Sequence, residues 1–215
     1  MFTTVLFDLD GTLSNSFPGI SNGILYALDK LNIPAPPCEE LKCFMGPPLF
    51  DQFVRSFDMN EKTAREAVRL YREYYSEKGI YEQTIIEGAE ELLERLTDMN
   101  KTVCLATCKP KPFAEKILVN FKIDRYFTEI IGATFDGSIN TKKQVITLAL
   151  DKTGTAPENC LMTGDRFYDV EGAHECGVKC AGVLCGFGSL SELQDAKADY
   201  IVSTLADILQ IVIKS

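Results

Sequence analysis

The sequence predicts an α/β protein, a doubly wound parallel sheet with a small helical domain inserted after the first strand. Two observations carry that reading. Short apolar, β-rich runs alternate with helical patterns over most of the chain, as expected for parallel strands joined by crossover helices. From about Ser14 to Glu82 the alternation stops and only helical periodicity remains. The expected division is a core of residues 1–14 and 83–215 with a helical insertion of residues 15–82.

In chain order, TVLF (4–7) reads as a buried strand. The insertion shows three apolar stripes at helical spacing. The first is Ile20, Ile24, Ala27, Leu28 and Leu31, and the second Leu49, Phe50, Phe53, Val54 and Phe57. The third is Ala64, Ala67, Val68, Tyr71, Tyr74 and Tyr75, ending before Gly79. The proline-rich stretches IPAPPC (33–38) and GPP (46–48) separate the pieces. Residues 88–99 form a helix with Leu92, Leu93 and Leu96 on one face, and 102–107 a strand. Pro112 opens a helix over 112–121. Strands at 128–133 and 160–164 flank a helix at 142–150; a short helix (170–177), a strand (178–184), a strand (199–203) and a helix (205–213) complete the chain.

Composition bounds the partners. With 215 residues, 46% of them hydrophobic and 25% charged, the chain can bury a core in the ordinary way of globular proteins. A formal charge of −9 argues against nucleic acid or an anionic membrane surface as partner. No apolar run approaches the roughly 18 residues needed to span a bilayer. The start, MFTTVLFDLDG, has neither a basic segment nor a small-residue cleavage site, so no signal peptide is expected. The eight cysteines lack C-x-x-C spacing and His174 is the single histidine, which excludes clustered zinc ligands. Reduced thiols and a cytoplasmic location are the expectation.

Two stretches fit the pattern Asp-x-x-Gly-Thr: DLDGT at 8–12 and DKTGT at 151–155. In an open parallel sheet, ligands bind beyond the carboxyl ends of the strands. Asp8 follows a buried strand directly. Asp151 falls in the last turn of the 142–150 helical pattern, and Gly154 reads as the stop of that helix. DKTGT resembles the phosphorylation site of P-type cation pumps, but a pump needs membrane helices that this chain lacks, so Asp8 is the candidate for chemistry.

Further candidates follow Asp8 in order. Thr107 ends the CLATCKP strand, Lys142 stands in INTKKQVI, and TGDRFYD carries Asp165 at a strand end with Asp169 four residues on. Asp8-x-Asp10, Thr107, Lys142 and Asp165-x-x-x-Asp169 resemble the four motifs of the haloacid-dehalogenase-like superfamily. The resemblance covers essentially the whole chain and implies a Rossmann-like core with a helical cap between the first and second motifs. Within that superfamily the chain is most similar to the phosphoglycolate-phosphatase-like and nucleotidase-like branch, through GPPL (46–49) and GVLCGFGS (182–189).

The chemistry accounts for these residue types. A phosphomonoester is anionic, so catalysis is mostly positioning and neutralisation. A carboxylate such as Asp8 can attack phosphorus and split the reaction through an aspartyl-phosphate. Asp10, two residues on, suits a general acid and base, and Gly11 permits a tight departure from the strand. Thr107 and Lys142 can bind the charged phosphoryl oxygens; Lys143 is the alternative register, and the family pattern opening the helix at Gln144-Val145-Ile146 favours Lys142. Lys109 either assists or is solvated. Mg²⁺ suits oxygen ligands, and the resemblance implies a site made by Asp8, the Asp10 carbonyl and Asp165. Asp165 is otherwise an N-cap; Asp169 either supports the metal site or caps the following helix. In the insertion, Gly46, Pro47 and Arg55 are the substrate-recognition candidates.

The expected function is Mg²⁺-dependent hydrolysis of a small phosphorylated metabolite, phosphoglycolate first and nucleoside monophosphates as the alternative. Dehalogenases of the superfamily lack an equivalent of Asp10. Sugar-phosphate mutases carry a histidine where this chain has Ile20, and remain a lesser alternative. A signalling receiver domain lacks both the insertion and the first-strand Asp-x-Asp, and a catalytically dead binding module would not need the full set of groups.

Overall fold

The computed structural model describes residues 1–214. The chain forms two compact units, residues 15–84 and residues 1–14 together with those from Ile85 on. The chain crosses between them at β2 (Ser14–Asn15) and β3 (Thr84–Ile85), short strands that pair as a separate two-stranded ribbon.

The larger unit begins with β1 (Thr4–Phe7), and after β3 come α4 (Ala89–Asp98), β4 (Thr102–Pro110), α5 (Lys111–Asn120) and β5 (Glu129–Ala133). Next are α6 (Lys142–Thr153), β6 (Cys160–Gly164), α7 (Phe167–Glu175) and β7 (Lys179–Val183). Then α8 (Leu190–Asp195), β8 (Tyr200–Val202) and α9 (Ala206–Lys214) follow. The strands form one sheet in the order β5-β4-β1-β6-β7-β8, with parallel pairing throughout. The chain runs outward from β1 through β4 to β5, then returns to the other side of β1 at β6. The reversal of strand order therefore falls at β1, and the crevice beyond its carboxyl end is where such sheets bind ligands.

Both faces of the sheet are covered. On one, Leu6, Cys104, Met162 and Cys180 pack with Val145, Ile146 and Ala149 of α6 and Val170 and Ala173 of α7. The alternate residues Val5, Phe7, Leu105 and Leu161 are fully buried on the other. Burial of Leu6 or Phe7 contributes roughly 1.5–3 kcal/mol each. The pairing of Phe7 with Leu105 and with Thr163 fixes the level at which β1 ends between its neighbours.

The structure departs from the sequence expectation in four places. β4 runs on to Pro110, beyond the expected end at 107, with its register against β5 shifting between Thr107 and Pro110. α7 begins at Phe167, three residues ahead of the expected 170, with its start capped both locally by Asp169 and from a distance by Glu192. α8 and the β2–β3 ribbon were not expected; all three elements are too short to show a period. α6 agrees with the expectation: Thr141 and Gln144 form a reciprocal capping box at its start, and Gly154 stops it at φ 63°.

The smaller unit holds α1 (Phe17–Lys30), α2 (Leu49–Phe57) and α3 (Glu61–Glu77). Ile20, Ile24, Ala27 and Leu28 of α1 are buried, as are Ala64, Ala67, Leu70, Tyr71 and Tyr75 of α3. Phe44, Phe53 and Phe57 form an aromatic cluster with ring centroids 5.2–6.2 Å apart. Asn60 caps α3, accepting the Thr63 N–H at 2.9 Å. No helix of the described residues is long and apolar enough to cross a membrane.

Candidate active site

Asp8 leaves β1 at its carboxyl end, and its backbone N–H donates to the Thr163 carbonyl of β6 at 2.9 Å. That bond carries the pairing one residue past the strand and sets the Asp8 side chain at the switch point. Gly11 then turns the chain at φ 86°. A Cβ there would lie 2.3 Å from Asp165 Oδ2, so only glycine lets this turn close on Asp165. Thr12, fully buried, donates its hydroxyl to Asp165 Oδ1 at 3.2 Å.

Lys142 opens α6, and its side chain is buried. Its Nζ lies 2.7 Å from Asp8 Oδ1 and 2.8 Å from Asp169 Oδ1, and donates to the Ala106 carbonyl at 3.1 Å. Burial opposes the charge on Lys142, but the carboxylates of Asp169 and Asp8 outweigh it and keep the ammonium protonated well above the usual lysine range. Lys143 points elsewhere, to Glu175 at 3.4 Å with its side chain exposed. The register ambiguity at 142–143 is therefore resolved geometrically in favour of Lys142 as the neighbour of Asp8.

Asp169 caps α7 and also faces Lys142. It stands in the first turn of α7, where Oδ2 accepts the Arg166 N–H at 3.0 Å while Oδ1 faces Lys142. Asp165 is not an N-cap; Arg166 holds that position. Both oxygens of Asp165 are engaged, since Phe187 N–H donates to Oδ2 at 2.7 Å opposite Thr12. Thr107 is buried in β4, and its Oγ1 accepts the Lys109 N–H at 3.2 Å, which leaves the hydroxyl proton free to donate. Lys109 is not solvated: it is 8% exposed and its Nζ lies 2.9 and 2.8 Å from the two oxygens of Asp10.

The sequence profile of the haloacid dehalogenase-like hydrolases matches residues 5–183, a span that includes Asp8, Asp10, Thr107, Lys142, Asp165 and Asp169. The chain belongs to that family. It is similar to a 5′-nucleotidase of Pseudomonas aeruginosa, 40% identical over 98% of this chain and 95% of the relative. It is also similar to a phosphoglycolate phosphatase of Haemophilus influenzae, 25% identical over 98% of each chain. Among solved structures, a predicted phosphatase from Clostridium acetobutylicum superposes with a TM-score of 0.95 at 38% identity, covering 100% of both chains. This haloacid dehalogenase-like hydrolase is a phosphatase, a phosphoric monoester hydrolase.

The electrostatics of the hydrolase's acidic cluster suit a further cation. Ligand oxygens of Asp8, Asp165 and Asp169 all lie within 4.8 Å of one another, and all three residues are buried. The Lys142 ammonium faces two of these carboxyl groups, those of Asp8 and Asp169. The Lys142 contacts to Asp8 Oδ1 and Asp169 Oδ1 are close ion pairs without hydrogen-bond alignment, so neither buried oxygen has a directed donor. Burial first, then the charges of Asp169 and Asp8, push the Asp165 carboxyl up to about 8. Burial also raises Asp169, against the pull of Lys142. A divalent cation with a taste for oxygen would relieve each of these strains, and the donor set fits one.

Asp151 is exposed on α6, within a helix that continues through it. Gly46 and Pro47 belong to the helical unit, in the bend before α2, with Gly46 exposed at φ 108°. Arg55 is exposed on α2. Sequence reasoning missed Thr12, Phe187 and the close-packed Gly186 and Gly188. A Cβ on Gly186 would lie 2.4 Å from Asp165 Oδ2, and one on Gly188 1.8 Å from the Asp165 carbonyl. The signal was present in the Gly-Phe-Gly spacing of 186–188, although nothing local ties that stretch to residue 165.

Proposed function

We propose that this phosphatase hydrolyses small phosphomonoesters in a Mg²⁺-dependent reaction, with Asp8 as the nucleophile. The observation that carries the reading is the buried cluster of Asp8, Asp165 and Asp169 around Lys142, at the carboxyl end of the strand where the sheet reverses its order. Asp8 attacks phosphorus, forming an aspartyl-phosphate as the ester oxygen departs. Asp10 protonates that oxygen and then takes a proton from the water that hydrolyses the phosphoenzyme. Lys109, paired to both Asp10 oxygens, keeps that carboxyl group oriented between the two steps.

Thr107 donates its free hydroxyl proton to a phosphoryl oxygen, and Lys142 neutralises charge on the group being transferred. Lys142 also holds Asp8 in place through their 2.7 Å ion pair. Asp8, Asp165 and the Asp10 carbonyl would hold Mg²⁺, which when bound supplies charge neutralisation between the carboxylate and the phosphate. Asp169 orients Lys142 and stays hydrogen-bonded to the backbone of its own helix. Gly11 lets the turn after Asp10 close on Asp165, and Gly46, Pro47 and Arg55 are assigned to recognition of the leaving group.

Nucleoside 5′-monophosphates are the first substrate class, on the strength of the 40% identity to a 5′-nucleotidase over nearly the whole chain. Phosphoglycolate is the second, supported by the 25% identity to a phosphoglycolate phosphatase. This reverses the order that motif resemblance alone suggests. A panel of nucleoside monophosphates, phosphoglycolate and hexose phosphates, scored by kcat/KM with and without chelator, tests the proposal. The expected result is highest efficiency on a nucleoside monophosphate and none after chelation. Full activity in chelator would overturn the magnesium reading, and a hundredfold preference for phosphoglycolate would overturn the substrate order.

A further inference from the structure

The helix that sequence reading did not find, α8, ends its reach at the acidic cluster. Ser189 caps α8, accepting the Glu192 N–H at 3.1 Å. In the Ser-x-x-Glu pattern the glutamate side chain ordinarily turns back on its own N-cap. Here it does not. Glu192 Oε1 instead accepts from Arg166 Nε at 2.7 Å and from the Phe167 backbone N–H at 3.0 Å. Phe167 is the first residue of α7, so Glu192 supplies that helix with a capping acceptor from another element. A negative charge at a helix N-terminus also suits the helix dipole.

The same segment reaches the site a second time. Five residues before Glu192, Phe187 donates its N–H to Asp165 Oδ2 at 2.7 Å, with Gly186 and Gly188 packed so closely around Asp165 that neither has room for a side chain. Asp165 and Asp169 are thus each set by residues 186–192: one by a direct hydrogen bond, the other through the turn of α7 that carries it. Arg166 and Phe167 lie between the two acids, and both are held by one carboxylate oxygen. The Glu192 and Arg166 side chains are 23% and 18% exposed, so the pair works in partly excluded solvent.

We propose that Glu192 is a positioning residue for the metal site, fixing the first turn of α7 so that Asp165 keeps its place as a ligand and Asp169 keeps Lys142 beside Asp8. It touches neither substrate nor reacting atoms. The inference rests on the magnesium reading above. Groups that orient metal ligands from behind typically change metal affinity by about 10–100-fold when removed. Glu192→Ala removes both contacts. Glu192→Gln keeps an acceptor for the Phe167 N–H and loses only the charge on Arg166.

The test is calorimetric Mg²⁺ titration of the wild-type chain and both variants, alongside kcat and KM at saturating Mg²⁺ and thermal melts in chelator. In Glu192→Ala the Mg²⁺ Kd is expected to rise at least about tenfold. Glu192→Gln should recover most of that loss, and KM for the phosphoester should stay within about twofold in both variants. A Glu192→Ala protein that is folded and binds Mg²⁺ like wild type overturns the inference alone. So does equal loss of affinity in both variants with equal loss of melting temperature, which would mark a general loosening. Failure of the wild-type chain to bind Mg²⁺ overturns the magnesium reading itself and this inference with it.

Discussion

Replacing Lys142 by Met isolates the charge at the centre of the site. Methionine keeps most of the apolar stem and removes the ammonium. In the wild type that ammonium lies 2.7 Å from Asp8 and 2.8 Å from Asp169, with the lysine side chain only 6% exposed. Its loss leaves the buried carboxyl groups of Asp8 and Asp169 without their ion-pair partner. Removing one partner of a buried ion pair costs about 3–5 kcal/mol. For a chain of this size, 1 kcal/mol moves the melting temperature by about 2–4 °C, so the metal-free variant should melt roughly 6–20 °C below wild type. Uptake of protons by the carboxyl groups offsets part of the cost, so the deficit should be larger at pH 9 than at pH 6. Added Mg²⁺ should narrow it, since a second cation then faces the same oxygens. Turnover should fall at least about a hundredfold, because a preorganised donor to the transferring phosphoryl group is gone. Thermal melts in chelator and in Mg²⁺, paired with kcat on p-nitrophenyl phosphate, read all of this. A variant that melts within about 2 °C of wild type in chelator and keeps more than a tenth of its kcat would refute the reasoning.

Asp8→Asn should abolish turnover while the fold survives, whereas Asp151→Asn should retain near-normal activity; the opposite pattern would assign the chemistry to the wrong aspartate. Without metal, stability should decline as pH rises from about 4 to about 8. Asp165 holds its proton up to about 8 in the folded chain, while an ordinary aspartate in the unfolded chain releases it near 3.8, so the folded state binds more protons across that window. Urea titrations at pH 5 and pH 8.5 in chelator check the sign, and equal or rising stability would contradict it. Gly186→Ala should lower both turnover and Mg²⁺ affinity at least about tenfold, because the new Cβ would lie 2.2 Å from the Gly11 carbonyl and 2.4 Å from Asp165 Oδ2. Unchanged activity in that variant would mean the 186–188 turn can retreat without disturbing Asp165.

Most of the fold was legible because its signals are local. TVLF before DLDGT marks a strand end, and Gly154 after an apolar period marks a helix stop. These two facts were enough to separate Asp8 from Asp151. The site was less legible wherever a contact joins distant segments. Lys109 looked equally fit for solvent because nothing in TCKP says that β4 continues to Pro110 and carries the lysine to Asp10. Asp169 looked like a choice between two roles because one carboxylate makes two contacts, capping α7 through one oxygen and facing Lys142 through the other. The start of α7 was misplaced because one of its two capping carboxylates comes from residue 192, while the other, Asp169, reads in the sequence as standing before the helix. Ser189-x-x-Glu192 did carry a helix-start signature, but six residues give too little period to be read as a helix.

The strand order has a consequence for how the chain is made. β1 is the middle of the sheet, yet its partners are Thr102–Leu105 on one side and Cys160–Thr163 on the other. A ribosome adding about 5–20 residues per second needs roughly 8–30 s between finishing β1 and starting β6. Over that interval TVLF has at least one open edge, the kind of surface that pairs with the wrong strand. The helical unit, contiguous in sequence from 15 to 84, can close its own contacts while the strand waits. Asp8 is made well before the Thr163 carbonyl that its N–H pairs with, so it reaches its final surroundings only once β6 has joined the sheet.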